Sequence, residues 1–265
     1  MRIRLTCSTL RFASIPYNTN HSIASWIYHQ LENGSPEYSE FLHDRGYMGP
    51  DGKPRKLFTF SRLQITPKPV FKPSHIVINK DSKIELIIST PMFEEFIQSL
   101  VMGLFENQMM EIDGAHGQRI KFPIMLVTRV PEPVFGTEMS CRTLSPLVLK
   151  TVIDGEKGRQ TYYYRPYDKG LAGAVANNLL GKYQTIHGTL PLDQNLDFQL
   201  DDAFIKKRGG PEKISNLITL REGHANATQI KGFSCPFVLK GSKELIETAW
   251  HAGIGDHTGM GFGCV

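Results

Sequence analysis

Cysteine is scarce and scattered: Cys7, Cys141, Cys235 and Cys264 lie far apart with no Cys-x-x-Cys pair, which argues against a disulfide scaffold or a zinc ribbon. Free thiols in a reducing compartment are the simpler expectation. Long apolar runs are missing too. No window approaches the roughly 18 consecutive apolar residues of a membrane span, and Met1-Arg2-Ile3-Arg4-Leu5 lacks the apolar block and cleavage site of a secretory signal. A soluble, cytoplasmic protein with no membrane partner is expected, so the sequons at Asn20 and Asn226 carry no weight. No His-Glu-x-x-His, Asp-x-Asp or paired-cysteine motif points to a metal, and no cofactor is expected. The run 46–53 has the wrong glycine spacing for a P-loop, and Pro54 stands where Ser or Thr is needed.

What is present is a globular composition, with 40% apolar and 21% charged residues, enough to bury a real core. A chain of 265 residues suggests two ordinary domains. The net charge of +4 leans toward a polyanionic partner. A strand is expected over 3–10, and then a helix whose one face carries Ile23, Ile27 and Leu31, ended by Asn33-Gly34-Ser35-Pro36. A strand over 57–65 and a hairpin over 76–89 follow. Thr90 and Pro91 read as N-cap and first residue of a helix bearing Phe93, Phe96, Ile97, Leu100, Val101 and Leu104, closed at Asn107. Strands at 109–112 and 120–130 complete a β-α-β-β-α-β order, the ferredoxin-like unit.

Pro131-Glu132-Pro133 reads as a linker, after which the order recurs. Strands within 138–153 and at 160–164 precede a helix bearing Leu171, Val175, Leu179 and Tyr183. Strands over 196–206 and 225–239 come next, and then a helix capped by Ser242 with Leu245, Ile246, Ala249 and Trp250. The fold class is therefore α+β: two tandem ferredoxin-like (RRM-like) βαββαβ domains, 1–130 and 131–265.

Three features carry chemistry. The end of the chain sets Gly253, Gly255, Gly259, Gly261 and Gly263 around His257; such a segment can hold phosphate on backbone N–H groups, or it can be a helix cap running into a bulged strand. Lys206-Lys207-Arg208, placed at a strand end, can grip a nucleic-acid backbone or simply be solvated. Tyr28, His43 and Lys56 are each ordinary alone; together they offer a polar positioner, a proton-transfer group and a fixed cation, the set that metal-free RNA cleavage needs.

Over nearly its full length the chain resembles the CRISPR-associated endoribonucleases of the sixth Cas family, which cut precursor RNA within its repeats. The resemblance rests on Ile15-Pro16-Tyr17-Asn18, Trp26-Ile27-Tyr28, Phe41-Leu42-His43, the run Lys56-Leu57-Phe58-Thr59-Phe60-Ser61, Thr143-Leu144-Ser145-Pro146-Leu147 and, most specifically, the ending GIGDHTGMGFGCV. It implies a tandem ferredoxin-like fold and an active site at Tyr28, His43 and Lys56. It also implies attack by the ribose 2′-hydroxyl on its own phosphate, giving a 2′,3′-cyclic phosphate and a 5′-hydroxyl with no metal. The RNA-binding set is then Lys206, Lys207, Arg208 and the glycine-rich segment around His257. Repeat RNA is the implied partner, with other CRISPR effector subunits or a second copy of the chain as further candidates. The alternative is a subunit that holds repeat RNA without cutting it.

Overall fold

The computed structural model of the protein describes residues 1–155, 158–220 and 227–265. Ala225 and Asn226, which open one expected strand and include the second sequon, lie outside the described residues. Among the described residues no helix is long and apolar enough to cross a membrane.

The first lobe contains β1 (Arg2–Ser8), β2 (Ala13–Ile15), α1 (Asn20–Gly34), α2 (Pro36–Glu40), β3 (Tyr47–Met48), β4 (Pro54–Arg55), β5 (Thr59–Phe60), β6 (Gln64–Thr66), β7 (Val70–Phe71), β8 (Ile76–Ile78), β9 (Lys83–Ser89), α3 (Gln98–Glu106), β10 (Met109–Asp113) and β11 (Arg119–Arg129). Its sheet runs β10-β11-β1-β9-β5, with β6 also on β9, and β1 is antiparallel to both β9 and β11. That is the ferredoxin-like order with β10 added at one edge and the second strand split in two. Ile23, Ile27 and Leu31 of α1 and Leu100 and Leu104 of α3 bury against Ile3, Leu5, Leu86 and Ile88 of the sheet, so the helical stripe read from sequence is the core face.

Three local expectations differ from the structure. The 76–89 hairpin does not form, because β8 pairs with β2 and β7 while β9 pairs with β1. The turn between them is tied instead to Thr9, whose N–H donates to the Ser82 carbonyl and whose carbonyl accepts from the Asp81 N–H. The strand expected at 57–65 is interrupted where Ser61 N–H bonds to Ile87 and Arg62 N–H crosses to Leu144 of the second lobe. Thr90 is not the N-cap: a wide π-type turn, Phe93–Ile97, precedes α3, and the buried Thr90 hydroxyl accepts from Met92 N–H and donates to the Leu57 carbonyl.

The second lobe contains β12 (Glu138–Arg142), β13 (Lys150–Gly155), β14 (Gly158–Tyr163), α4 (Leu171–His187), β15 (Leu196–Leu200), α5 (Asp202–Arg208), β16 (Ser215–Leu220), β17 (Thr228–Phe233), β18 (Pro236–Gly241) and α6 (Lys243–Ala252). β18 lies between β12 and β15, antiparallel to both, with α4 leading into β15 and α6 leaving β18. The two lobes are thus tandem ferredoxin-like folds. In the second, an irregular terminal segment takes the fourth strand's side, where Leu144 and Ser145 N–H groups donate to the Cys264 carbonyl. Ser242 caps α6 as its position suggested, accepting from Leu245 N–H. The single strand expected over 196–206 stops at Leu200, because the Asp201 carboxylate caps Phe204 N–H and starts α5. Lys206, Lys207 and Arg208 therefore occupy the last turn of a helix, where cations complement the negative end of the dipole.

Candidate active site

Tyr28, His43 and Lys56 converge. α2 leads into a single π-type turn, Phe41–Arg45, that carries His43, and Gly46 ends it at φ +68° with its N–H on the Phe41 carbonyl. The chain then doubles back through the small β3–β4 ribbon, pairing Tyr47 with Arg55 and Met48 with Pro54, which returns Lys56 to the base of the turn. There its ammonium donates to the carbonyls of Leu42 and His43, the latter at 2.6 Å. The Tyr28 and His43 rings meet edge to face with centroids 5.5 Å apart. His43 is a rim residue, its side chain 71% exposed, and its Nδ1 lies 2.8 Å from Asp44 Oδ1, which leaves Nε2 for a substrate.

Burial pushes the Tyr28 phenol up to about 12, so it stays protonated at neutral pH and acts as a hydrogen-bond donor rather than a base. Its hydroxyl has no partner among the described residues. Burial also lowers the Lys56 ammonium from its ordinary value, with Asp44 acting in the opposite sense.

All three side chains line a cleft of about 710 Å³ between the lobes. Among the described residues, Lys53, Arg55 and Lys56 from the first lobe and Lys150 and Lys182 from the second face it, against Asp51 and Asp256. Both carboxylates are already engaged: Asp51 takes two 2.8 Å bonds from Arg55, and Asp256 accepts from Lys150 N–H at 2.9 Å. A second groove of about 800 Å³ shares Tyr28 and His43 but carries Glu32, Glu40, Asp44 and Glu111 against Arg119. With carboxylates outnumbering cations on its walls, that groove is electrostatically less favourable to an anion than the interlobe cleft.

The glycine-rich ending is not a projecting loop. It is packed between the lobes, where the Asn20 amide donates to the carbonyls of Met260 and Gly261 and Thr59 Oγ1 donates to that of Phe262. The turn Thr258–Met260 lies on the Lys56 stem, within 3.1 Å of where a Gly259 side chain would start. The N–H groups of Gly253, Gly255, Gly261 and Gly263 are already donated to Ala249, the Asn178 side chain, Thr258 and Pro146. Among the described residues the N–H groups of His257, Thr258, Gly259, Phe262 and Val265 have no acceptor, and since Phe262 and Val265 are buried, the segment's phosphate-holding capacity narrows to the turn at His257–Gly259. His257 sits there at φ +57° with Nε2 3.3 Å from Lys150 Nζ, and burial, then Lys150, lowers its pKa.

The basic turn of α5 does not line the cleft; its three side chains are exposed. Sequence reasoning missed Lys150, Asn178 and Lys182. For Lys182 a signal existed: Leu171, Val175, Leu179 and Lys182 follow helical spacing, and it is Lys182 rather than Tyr183 that completes the buried stripe of α4.

Residues 14–121 match the family model for CRISPR-associated protein Cas6, N-terminal, and residues 130–265 that for CRISPR associated protein Cas6, C-terminal. The chain is 31% identical to CRISPR-associated endoribonuclease Cas6 1 of Methanocaldococcus jannaschii over 265 residues, all of this chain and 92% of that one. It is 22% identical to CRISPR-associated endoribonuclease Cas6 of Pyrococcus furiosus, covering 96% and 84% of the two chains. Among solved structures it superposes with TM-score 0.74 on a CRISPR associated protein Cas6 at 29% identity, covering 100% and 97%. The product of a Cas6-related gene from Pyrococcus furiosus superposes with TM-score 0.79 at 23% identity, covering 100% and 96%. With both halves matched and a relative of this identity spanning the whole length, the chain belongs to the Cas6 family of CRISPR-associated proteins.

Proposed function

We propose that this protein is a cytoplasmic, metal-independent endoribonuclease that cuts CRISPR repeat RNA to release guide RNAs, leaving a 2′,3′-cyclic phosphate and a 5′-hydroxyl. The observation that carries this reading is the meeting of Tyr28, His43 and Lys56 on one cationic cleft. In-line attack by a 2′-hydroxyl needs the attacking oxygen aligned and its proton lost, here to solvent water, charge on the five-coordinate phosphorus neutralised and the departing 5′-oxygen protonated. His43 supplies that proton through Nε2, Lys56 meets the charge, and the neutral Tyr28 phenol orients the ribose or phosphate by donating a hydrogen bond. The first lobe, 1–130, is the catalytic domain; the second, 131–265, closes the cleft with the turn at His257–Gly259 and with Lys150.

Cleavage of repeat RNA in excess EDTA is expected to match the rate in Mg²⁺, with end-group analysis finding cyclic phosphate on the upstream fragment. Activity that chelator abolishes and Mn²⁺ restores overturns the mechanism. The exposure of His43 favours a rival, a subunit that holds repeat RNA, alone, as a dimer or with other CRISPR proteins, and yields no product at any time.

The α5 cluster belongs to binding rather than chemistry. Replacing Lys206, Lys207 and Arg208 together by alanine is expected to weaken RNA binding and to reduce the slope of log K against log salt by about 2, at roughly 0.7 per lost phosphate contact to a single strand. The cleavage rate at saturating protein stays unchanged. A salt titration checks the slope.

A further inference from the structure

The three buried apolar residues of α4 are followed, one turn on, by Lys182, only 4% exposed. Its ammonium donates to the Gly253 carbonyl at 2.7 Å and more loosely to that of Ala252 at 3.4 Å. These are the last carbonyls of α6, at the negative end of its dipole, where the chain enters the glycine-rich segment. Among the described residues no carboxylate lies within ion-pair distance of Lys182, so the helix dipole and two carbonyls, with Asp256 acting from farther off, hold this charge out of water. An ammonium has three N–H groups, and the two carbonyls take two. Lys182 also lines the interlobe cleft, one turn from Asn178, which anchors the same segment through Gly255 N–H.

Charged neighbours come from several elements. Asp256, in the glycine-rich segment, favours the charged form. Arg55, at the end of the β3–β4 ribbon, opposes it; its guanidinium lies against Gly181, donates to Thr185 Oγ1 at 3.1 Å and is itself paired with Asp51. Lys150, His257 and Lys56 face the same cleft. Burial dominates and brings the Lys182 pKa down to about 7, so in the free protein the ammonium gives up its proton as pH rises through neutrality.

We propose, resting on the RNA-cleaving reading above, that Lys182 is a positioning residue that couples RNA binding to proton uptake: it ties α4 to the entrance of the glycine-rich segment and becomes fully charged when a phosphate fills the cleft. An anion entering beside a neutral amine raises its proton affinity, and by linkage the proton raises affinity for the anion. The sign is fixed. Lys182 is already charged in the free protein below its free-state pKa, so affinity is flat there, and it falls as pH rises above that value until the bound-state pKa is reached.

The experiment uses the full chain and its repeat RNA with deoxyribose at the nucleotide 5′ of the cut, which binds without reacting. Titration calorimetry at pH 8 in buffers of different ionisation enthalpy is expected to show uptake approaching one proton per RNA. Kd should weaken about 50-fold from pH 7 to 9 for a single group whose pKa moves on binding from about 7 to its ordinary value of about 10.4. Lys182→Arg, charged throughout, is expected to remove both the uptake and the pH dependence; the calorimetry on the natural protein stands even where this variant does not fold. Binding with no proton uptake, or uptake that persists in folded Lys182→Arg, overturns the assignment and leaves the nuclease reading intact. No binding of repeat RNA at any pH overturns both.

Discussion

Alanine at position 43 is expected to slow repeat-RNA cleavage about 100-fold to 10,000-fold, the range for losing a positioned general acid, while affinity for uncleavable RNA stays within about 3-fold. The departing 5′-oxygen leaves as an alkoxide unless a proton reaches it in the transition state. Tyr28 does not supply that proton efficiently, since its phenol holds it up to about 12. Lys56 is bound to the Leu42 and His43 carbonyls and supports the turn that carries His43. That leaves the imidazole, whose Asp44 contact at Nδ1 orients Nε2 outward. Because His43 is a rim residue, its removal opens no cavity, and the thermal midpoint is expected to hold. A substrate with deoxyribose at the cut should bind normally and stay whole for the natural protein and the variant alike. Single-turnover rates and filter-binding affinities separate the two effects. A variant that still cuts within 5-fold of the natural rate removes His43 from the chemistry.

Much of this site was legible because its parts are local. The stripe Ile23, Ile27 and Leu31 fixes which face of α1 is buried and so puts Tyr28 at its edge; the Ser242 cap fixes where α6 begins and therefore where the glycine-rich segment leaves it. Pairing partners were less legible. β8 carries nothing that says it joins β2 rather than β9, since that choice is made by the whole sheet. Asp201 was a cap signal overlooked inside an apolar run, and it alone turns the Lys206–Arg208 cluster from a strand end into a helix end. The glycine spacing was visible, but whether each N–H is free depends on partners as distant in sequence as Pro146 and Asn178. Lys182 shows the opposite case: its helical spacing was readable, and its charge disguised it as surface.

Gly263→Ala is expected to destabilise the protein by about 2 to 5 kcal/mol and to disable the cleft from a residue that does not line it. The position has φ +73°, which costs an L-residue roughly 1 to 2 kcal/mol. A Cβ there would stand 2.0 Å from the Ile254 carbonyl oxygen and 2.9 Å from its carbon. Those are backbone atoms and cannot rotate away. Ile254 is fully buried and donates its N–H to the Gly263 carbonyl at 2.9 Å, while Gly263 N–H is fixed on Pro146 and Cys264 N–H on Ser145 Oγ. Relief must come from sliding the terminal segment, at an overpacking cost of about 1 to 3 kcal/mol. At roughly 2 to 4 °C per kcal/mol for a chain of this size, calorimetry should show a midpoint lower by about 5 to 15 °C. The slide also moves the Thr258–Met260 turn off Lys56 and strains the Asn20 bonds to Met260 and Gly261, so the folded fraction should cleave more slowly. Gly188→Ala is the matched control. It shares φ +73° but faces open space, so it carries the backbone strain without the collision and leaves cleavage alone. Equal losses of stability in the two variants would mean that conformational freedom, not the close approach of the terminal segment to Ile254, is why glycine stands at 263.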